Sequence, residues 1–467
     1  MKDTDQTKPM KPDPTDLSTC LFSSTIQDDP LEPYTNDALT VRSKDTVHGR
    51  GIIATRNISK GECLFITPAV LFVDHSIKNL FLDESNDDLK NLEDVAINNL
   101  VDQMWDAIQN QENSILNSFL TLIGSSIFRD DYDPDINTLL GKNNDTTWNK
   151  TELQQLKKED LKQILLKNAF GPDCLTYGIL MRYWKSSDSV KSNYFPHHLL
   201  GVFPLAAMIN HSCMPNAVRV YAGKNMVVHA STSILAGQEI VWSYVPPTMT
   251  FMDRRRSLKK THGFICNCSR CSQEAKCLKP ELLPTTLKIA LENAQIWNQS
   301  LVDVSGLDAR TVNDVCNMFN ALEDTIFLSP VLSSEQKRYL RVGLVKAFFN
   351  AFNVLLYSSN SLRTMELILE SASQLHFSFV MANVHGSTEH ISLLHLCLEL
   401  AQSIEGTQRD ESGNKRTRFW TEQLKQAHLV RFGALGNDID SVRKIMQHTK
   451  IVLRQKDGFI KSPLKFL

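Results

Sequence analysis

Apolar and polar positions divide this chain into a β-rich first half, interrupted by helices, and a helical second half. The stretches "ALTVRS" and "GRGIIATRNISKGECLFITPAVLFV" carry short β-branched and aromatic runs broken by Gly and Asn, a pattern that predicts a few strands joined by tight turns. From residue 76 to 168 the spacing changes. "LKNLEDVAINNLVDQMW" and "SILNSFLTLI" repeat apolar residues every three and four positions, as amphipathic helices do, and a polar loop, "RDDYDPDINTLLGKNNDTTWNK", precedes a further helix in "ELQQLKKEDLKQILLKNAF". Strands return between 216 and 244 as "AVRVYAG", "NMVVHAST" and "EIVWSY", separated by turn-like Gly-Lys-Asn and Ala-Gly-Gln. Beyond about residue 280 nearly every segment has helical spacing, for example "YLRVGLVKAFFNAFNVLLYS" and "ISLLHLCLELAQSI", which predicts stacked antiparallel pairs of the helical-repeat kind without a clean internal period.

Composition adds bounds. With 467 residues the chain is long enough for two or three domains. Residues 1–36, rich in Pro, Asp, Thr and Ser and without periodicity, are expected to form a disordered arm. No signal-peptide core and no uninterrupted apolar span of ~18 residues is present, so an intracellular protein of the cytoplasm and/or nucleus is expected, without a membrane partner. The formal net charge of −2 gives no global reason to expect direct nucleic-acid binding. "DRRRSLKK", 253–260, is a local basic run; its spacing reads better as the first turns of a solvated helix with Leu258 facing inward.

In a reducing compartment, closely spaced cysteines read as metal ligands rather than as a disulfide framework. "CNCSRC" offers Cys266, Cys268 and Cys271, and a structural zinc site needs a fourth ligand, either the nearby Cys277 or the distant Cys213. Cys213 belongs to "GVFPLAAMINHSCMPNAVRV", where an apolar run stops at Asn210-His211-Ser212-Cys213 and resumes as a strand. Polar groups beside buried chain need partners, so this tetrad is either a satisfied turn or faces a ligand. "HGRGIIA", 48–54, sets two glycines around one residue and so permits close backbone approach, and Tyr244 ends "EIVWSY" just before Pro246-Pro247.

Glycine pair, helical interruption, "NAF" (168–170), "NHSC" (210–213), a strand ending in "SY" and "GFICNCSRC" follow one another in the order of SET-domain protein lysine methyltransferases, and the layout resembles the SET-and-MYND subfamily. The resemblance implies an α+β protein: a β-rich split SET domain with a pseudoknot, a helical insertion, a post-SET zinc site and a carboxy-terminal TPR-like helical domain. The corresponding boundaries are 37–75 and 166–250 for the SET portions, 76–165 for the insertion, 251–278 for the post-SET segment and 279–467 for the helical domain. It implies S-adenosylmethionine as cofactor, bound by His48, Gly49, Arg50, Gly51, Asn168, Asn210, His211, Tyr244 and Phe264. Tyr244 becomes the catalytic tyrosine, and Cys213, Cys266, Cys268 and Cys271 the zinc ligands. The implied partner is a protein substrate presenting a lysine, histone or non-histone, to a monomeric enzyme. Two features depart from the subfamily. Residues 64–173 hold no cysteine and a single histidine, His75, so the MYND finger and its partner binding do not carry over; and His262 stands where a tyrosine is usual. A catalytically weak SET-fold scaffold is the alternative function. The Rubisco-methyltransferase-like SET group shares the insertion and tail, but the zinc cysteines argue against it.

Overall fold

The computed structural model describes residues 33–42, 49–74, 86–110, 136–140, 157–171, 199–222, 225–278, 284–299, 307–359, 361–407 and 414–433. Eleven strands among them make three small sheets. The first has the order β1 (Tyr34–Thr35), β4 (Cys63–Pro68), β10 (Asn225–Ala230), β9 (Ala217–Ala222). The second runs β2 (Leu39–Arg42), β3 (Gly51–Ala54), β11 (Glu239–Trp242), β8 (Asn210–His211), and the third β5 (Leu71–Asp74), β7 (Leu199–Val202), β6 (Ala169–Phe170). Every pairing is antiparallel except β8 on β11, where Asn210 lies opposite Val241 and His211 opposite Trp242.

The helical insertion leaves the third sheet after β5 and returns to it through β6 and β7. In it, α1 (Asn86–Gln109) buries Ile97, Leu100, Val101, Met104 and Ile108 on one face, at the three- and four-residue spacing of its sequence, and packs on α3 (Lys158–Asn168), which buries Leu161 and Leu165. A short helix, α2 (Ile136–Leu139), stands inside the stretch expected to be a polar loop, and "SILNSFLTLI" lies outside the described residues. The chain leaves α3 directly into β6: Ala169 is already extended, at φ −86° and ψ 139°.

Helix α4 (Pro204–Ala207) precedes β8, while α5 (Phe251–His262) and α6 (Ser269–Cys277) carry the segment after β11. The remainder is helical: α7 (Thr285–Trp297), α8 (Ala309–Ala321) with a π-helical continuation at Leu322–Phe327, α9 (Ser334–Gly343), α10 (Val345–Ser358), α11 (Leu362–Met381), α12 (Thr388–Thr407) and α13 (Lys415–Phe432). Helix α9 meets α10 at a 70° bend, and no single helix among the described residues is long and apolar enough to cross a membrane. Phe348, Phe349 and Phe352 of α10 are fully buried. Helices pack on their successors at α11–α12 and α12–α13, and α13 continues onto β9 and β10, so the helical domain shares a core with the first sheet.

The arm expected over residues 1–36 runs too far. Residues 1–32 lie outside the described ones, but Tyr34 and Thr35 pair with Ile66 and Phe65. Asn36 is buried, donating its amide to Glu62 Oε1 (2.8 Å) and to the Cys63 carbonyl (3.0 Å). A polar residue sitting in a backbone-satisfying turn has no hydrophobic pattern to announce it.

The helical domain buries an unusual set of imidazoles. His376 Nδ1 lies 2.9 Å from His390 Nε2, and the His385 ring centroid is 4.9 Å from that of His390. Burial foremost, with help from the Lys60 ammonium and from the neighbouring imidazoles, lowers His376 to about 4 and His385 to about 3 and holds His390 well below the histidine range. Burial also lowers His229 and His428 to about 4. Depressed folded-state values mean that the unfolded chain binds more protons below its own value of ~6.5, so stability is complete above that pH and is lost as pH falls towards 4, by up to ~1.4 kcal/mol per histidine per pH unit. Thermal melts should therefore show a Tm several degrees lower at pH 5 than at pH 7.5, with the loss reduced in His385→Phe; a flat profile over that window would refute the assignment.

Candidate active site and metal centre

The end of the apolar run 201–209 places Asn210 and His211 on the edge of the second sheet as β8. A strand of this length has little backbone pairing to hold it, and side chains complete it. Asn216 acts as a surrogate strand: its Nδ2 donates to the Glu239 carbonyl (2.8 Å), its Oδ1 accepts from Val241 N (2.8 Å), and its own N–H donates to the Val241 carbonyl (3.0 Å). Asn210 Nδ2 donates to the Arg50 carbonyl (2.7 Å) and to Glu239 Oε1 (2.6 Å), which joins the glycine turn, β8 and β11.

His211 is buried and bonded at both ring nitrogens. Tyr244 N–H donates to Nδ1 at 2.9 Å, so Nε2 carries the proton, and it points at Cys213 Sγ 3.3 Å away. Tyr244 donates its hydroxyl to the Ile209 carbonyl (2.9 Å). Around it stand three rings, with centroids 5.2 Å (His211), 4.8 Å (His262) and 6.3 Å (Phe264) away, so His262 does line this aromatic wall. Burial, reinforced by Glu239 and opposed by Arg219, pushes the Tyr244 phenol up to about 12. Burial and then the Lys167 ammonium lower His262. Both are neutral at physiological pH.

Gly49 is in the left-handed region at φ +92°, with nothing among the described residues within 4 Å of where a Cβ would stand. Open space beside this turn, next to an Asn210 side-chain oxygen with no donor among the described residues, fits a ligand carrying polar groups. Gly51 opens β3, and His48 lies outside the described residues. Asn168 is not drawn into this group by any described contact; its Nδ2 donates to Ile164 O of its own helix (2.9 Å). Its neighbour Phe170 meets Trp242 edge-on at 5.6 Å, with Arg219 4.8 Å from the Trp242 ring, so α3 ends beside β11.

Cys213, Cys266, Cys268 and Cys271 converge, with all four sulfurs within 4.8 Å of one another. A tetrahedral zinc tetrathiolate, at ~2.3 Å per Zn–S bond, needs S···S separations of ~3.8 Å, and the donor set fits one. Bonding from the other three thiols draws Cys268 towards thiolate. Cys277 is not a member: its thiol donates to the Glu274 carbonyl (3.3 Å) within α6, and burial pushes it up to about 12. The basic run is partly reassigned. Leu258 faces inward as expected, but Arg254 is also fully buried, against the cysteines. Neither Asn216 nor Glu239 was singled out from sequence. Asn216 does follow the Cys213-Met214-Pro215 turn, and Glu239 opens a strand whose alternate residues, Ile240 and Trp242, are buried.

Residues 49–245 match the SET domain family model, and the chain carries a SET domain over that stretch. Its relatives include histone-lysine N-methyltransferase ASHR1 of Arabidopsis thaliana, 43% identical over 77 residues, which are 16% of each chain. Others are histone-lysine N-methyltransferase SMYD3 of Mus musculus, 35% identical over 77 residues, and N-lysine methyltransferase SMYD2-B of Danio rerio, 38% identical over 76; each match covers 16% of this chain and 18% of the other. The chain thus spans less than a fifth of the length of these curated relatives in the matched region. A crystal structure of the SET domain of LSMT bound to lysine and AdoHcy aligns over 90% of both chains at 12% identity, but with a TM-score of 0.26 it carries no argument.

The metal assignment has a direct check. Purified protein should carry one zinc per chain; Cys213→Ser should lose it, and Cys277→Ser should keep it. Equal zinc content in the two variants, measured by mass spectrometry of the metal, would remove Cys213 from the centre.

Proposed function

We propose that the chain is an S-adenosylmethionine-dependent protein-lysine N-methyltransferase whose four cysteines hold a structural zinc ion. The observation that carries this reading is Tyr244: a neutral, half-buried phenol at the end of a SET-domain strand, fixed at its backbone by His211 and at its hydroxyl by Ile209, and walled by rings. The relatives' names, which specify histone-lysine and N-lysine methyltransferases, support the reaction class. The substrate is a protein lysine, of a histone or another protein.

Bound S-adenosylmethionine would supply a methyl group on a positively charged sulfur. Transfer is an in-line displacement: the N–C bond forms as the S–C bond breaks, so the lysine must arrive without its proton, although its reference pKa is ~10.4. A water-poor aromatic passage beside a like charge favours the neutral amine through desolvation and repulsion, and the shed proton passes to solvent. Tyr244 contributes through its oxygen. Its O–H is committed to the Ile209 carbonyl, which leaves the lone pairs to accept an amine N–H or a polarised methyl C–H and so align the two partners. We assign the cofactor's polar groups to His48, Gly49, Arg50, Gly51, Asn168, Asn210 and His211, and its flat ring to Phe264.

The test is transfer of labelled methyl groups to core histones and to a cell lysate. Tyr244→Phe should lose turnover about 100-fold, the scale of lost alignment, while calorimetry shows cofactor binding within a few-fold of wild type. An unchanged rate would take Tyr244 out of the mechanism. Cofactor binding without any transfer by the wild type would favour the scaffold.

A further inference from the structure

Beneath the four cysteines lies a charge imbalance that the proposed reaction does not use. Arg254 and Arg270 are fully buried, and the single buried carboxylate beside them, Glu274, is shared between them: Arg254 Nη2 pairs with Oε2, and Arg270 Nε lies 3.4 Å from Oε1. Two cations and one anion leave a surplus positive charge away from water, which is costly unless something matches it. The nearest groups are sulfurs. Arg254 Nε donates to Cys213 Sγ at 3.3 Å, and its Nη2 is 3.9 Å from Cys271 Sγ. Four thiolates around a divalent ion carry a net charge of −2, which more than offsets the single surplus positive charge beside them.

The same two guanidinium groups reach outward. Arg254 Nη1 donates to the Met249 carbonyl (2.7 Å) and Arg270 Nη1 to the Pro247 carbonyl (2.7 Å), so both hold the loop that follows Tyr244. The Arg270 guanidinium sits 5.8 Å from the ring centroid of Tyr339 on α9, and its Nη2, buried, has no hydrogen-bond acceptor among the described residues. Tyr339 in turn gives its hydroxyl to Glu335 (2.7 Å) and lies 3.3 Å from Met214 Sδ, next to Cys213.

We propose that Arg254, braced by Glu274 and Arg270, is the built-in counter-charge of the four-cysteine centre, and that metal binding there and the seating of α9 on the SET domain are one coupled event. The proposal rests on the zinc reading above. Arg254 is a positioning residue: it touches the ligand sulfurs and the loop after Tyr244, not the reacting atoms. Losing the metal takes the anion away from Arg254, and the Arg254–Glu274–Arg270 chain of contacts carries that loss to Tyr339 on α9.

Zinc affinity is measured on the full chain by competition with a chromophoric chelator, for wild type, Arg254→Met and Arg254→Lys. Outer-shell losses weaken metal binding by ~10–100-fold; that loss is expected for Arg254→Met, with a smaller one for Arg254→Lys, which keeps the charge but not the fork. Hydrogen exchange over Ser334–Gly343 in wild-type protein should rise when zinc is removed. Wild type that binds no zinc overturns the zinc reading itself. Zinc binding by wild type and Arg254→Met within twofold of each other overturns this proposal alone. Should Arg254→Met fail to fold, the wild-type exchange decides, and unchanged protection of α9 between zinc-loaded and zinc-free protein overturns it.

Discussion

One imidazole holds the site together. His211 receives the Tyr244 N–H at one nitrogen and directs its own N–H at Cys213 from the other, so the ring spans the strand end that presents Tyr244 and one sulfur of the four-cysteine cluster. Backbone pairing could not do this alone. Strand β8 is the edge of its sheet and pairs with β11 at Asn210 and His211, with one further backbone bond from Ser212 N–H to the Trp242 carbonyl (2.9 Å), a short ladder to fix a side chain to the tolerance that alignment of reacting groups requires. Asn216 and Asn210 add side-chain bonds to β11 and to the glycine turn, and their amides work here as extra backbone. Polar residues adjoining a buried run are thus explained largely by the protein itself. The Asn210 oxygen and the space beside Gly49 are what remain for a ligand.

Much of this was legible in the chain, and the limits have physical causes. Strand and helix blocks followed from periodicity because each element buries one face: Leu161 with Leu165 in α3, or Ile97, Leu100, Val101, Met104 and Ile108 in α1. Order and spacing of "NHSC" and "CNCSRC" allowed the cysteines to be grouped, and the structure brings those four together and leaves Cys277 out. What could not be read was partnership across the chain. Arg254 looks like one more exposed base in "DRRRSLKK", since nothing local distinguishes a guanidinium that will face Cys213 and Glu274 from its neighbours Arg255 and Arg256. Asn36 was given to a mobile arm for the same reason: its burial depends on Glu62 and Cys63, which periodicity around residue 36 does not encode. Asn168 shows the converse. Its motif match is clear, yet its amide caps its own helix, so its assignment rests on resemblance and not on a contact.

The helical domain is more than an appendage, because it closes both ends of the first half. At one end α13 lies on β9 and β10, and Leu429 covers Gly61, where an added Cβ would stand 3.3 Å away. At the other, α9 brings Tyr339 against Arg270 and Met214. Thr248, in the loop after Tyr244, donates to Glu389 at the start of α12 (2.8 Å). The loop that leaves the proposed catalytic residue is therefore bonded to the helical domain and, through two guanidinium groups, to the cysteine centre.

The cluster around those cysteines is small. Its buried members are Cys213, Val245, Phe251, Leu258, Cys266 and Cys271, with Phe264 packed against them, and it is separate from the main core. Apolar burial on that scale cannot hold a segment on its own, and small substructures of this kind depend on metals or cross-links for their folding free energy. Phe264 is the residue exposed to this weakness. It stands between His262, which ends α5, and Cys266, and its ring contacts both His211 and Tyr244. With the sulfurs joined through an ion, the four-residue run from Gly263 to Cys266 is pinned at its cysteine end and the ring keeps its place in the wall. The place of the ring in the wall beside Tyr244 thus depends on what holds Cys266 as well as on the rings it meets.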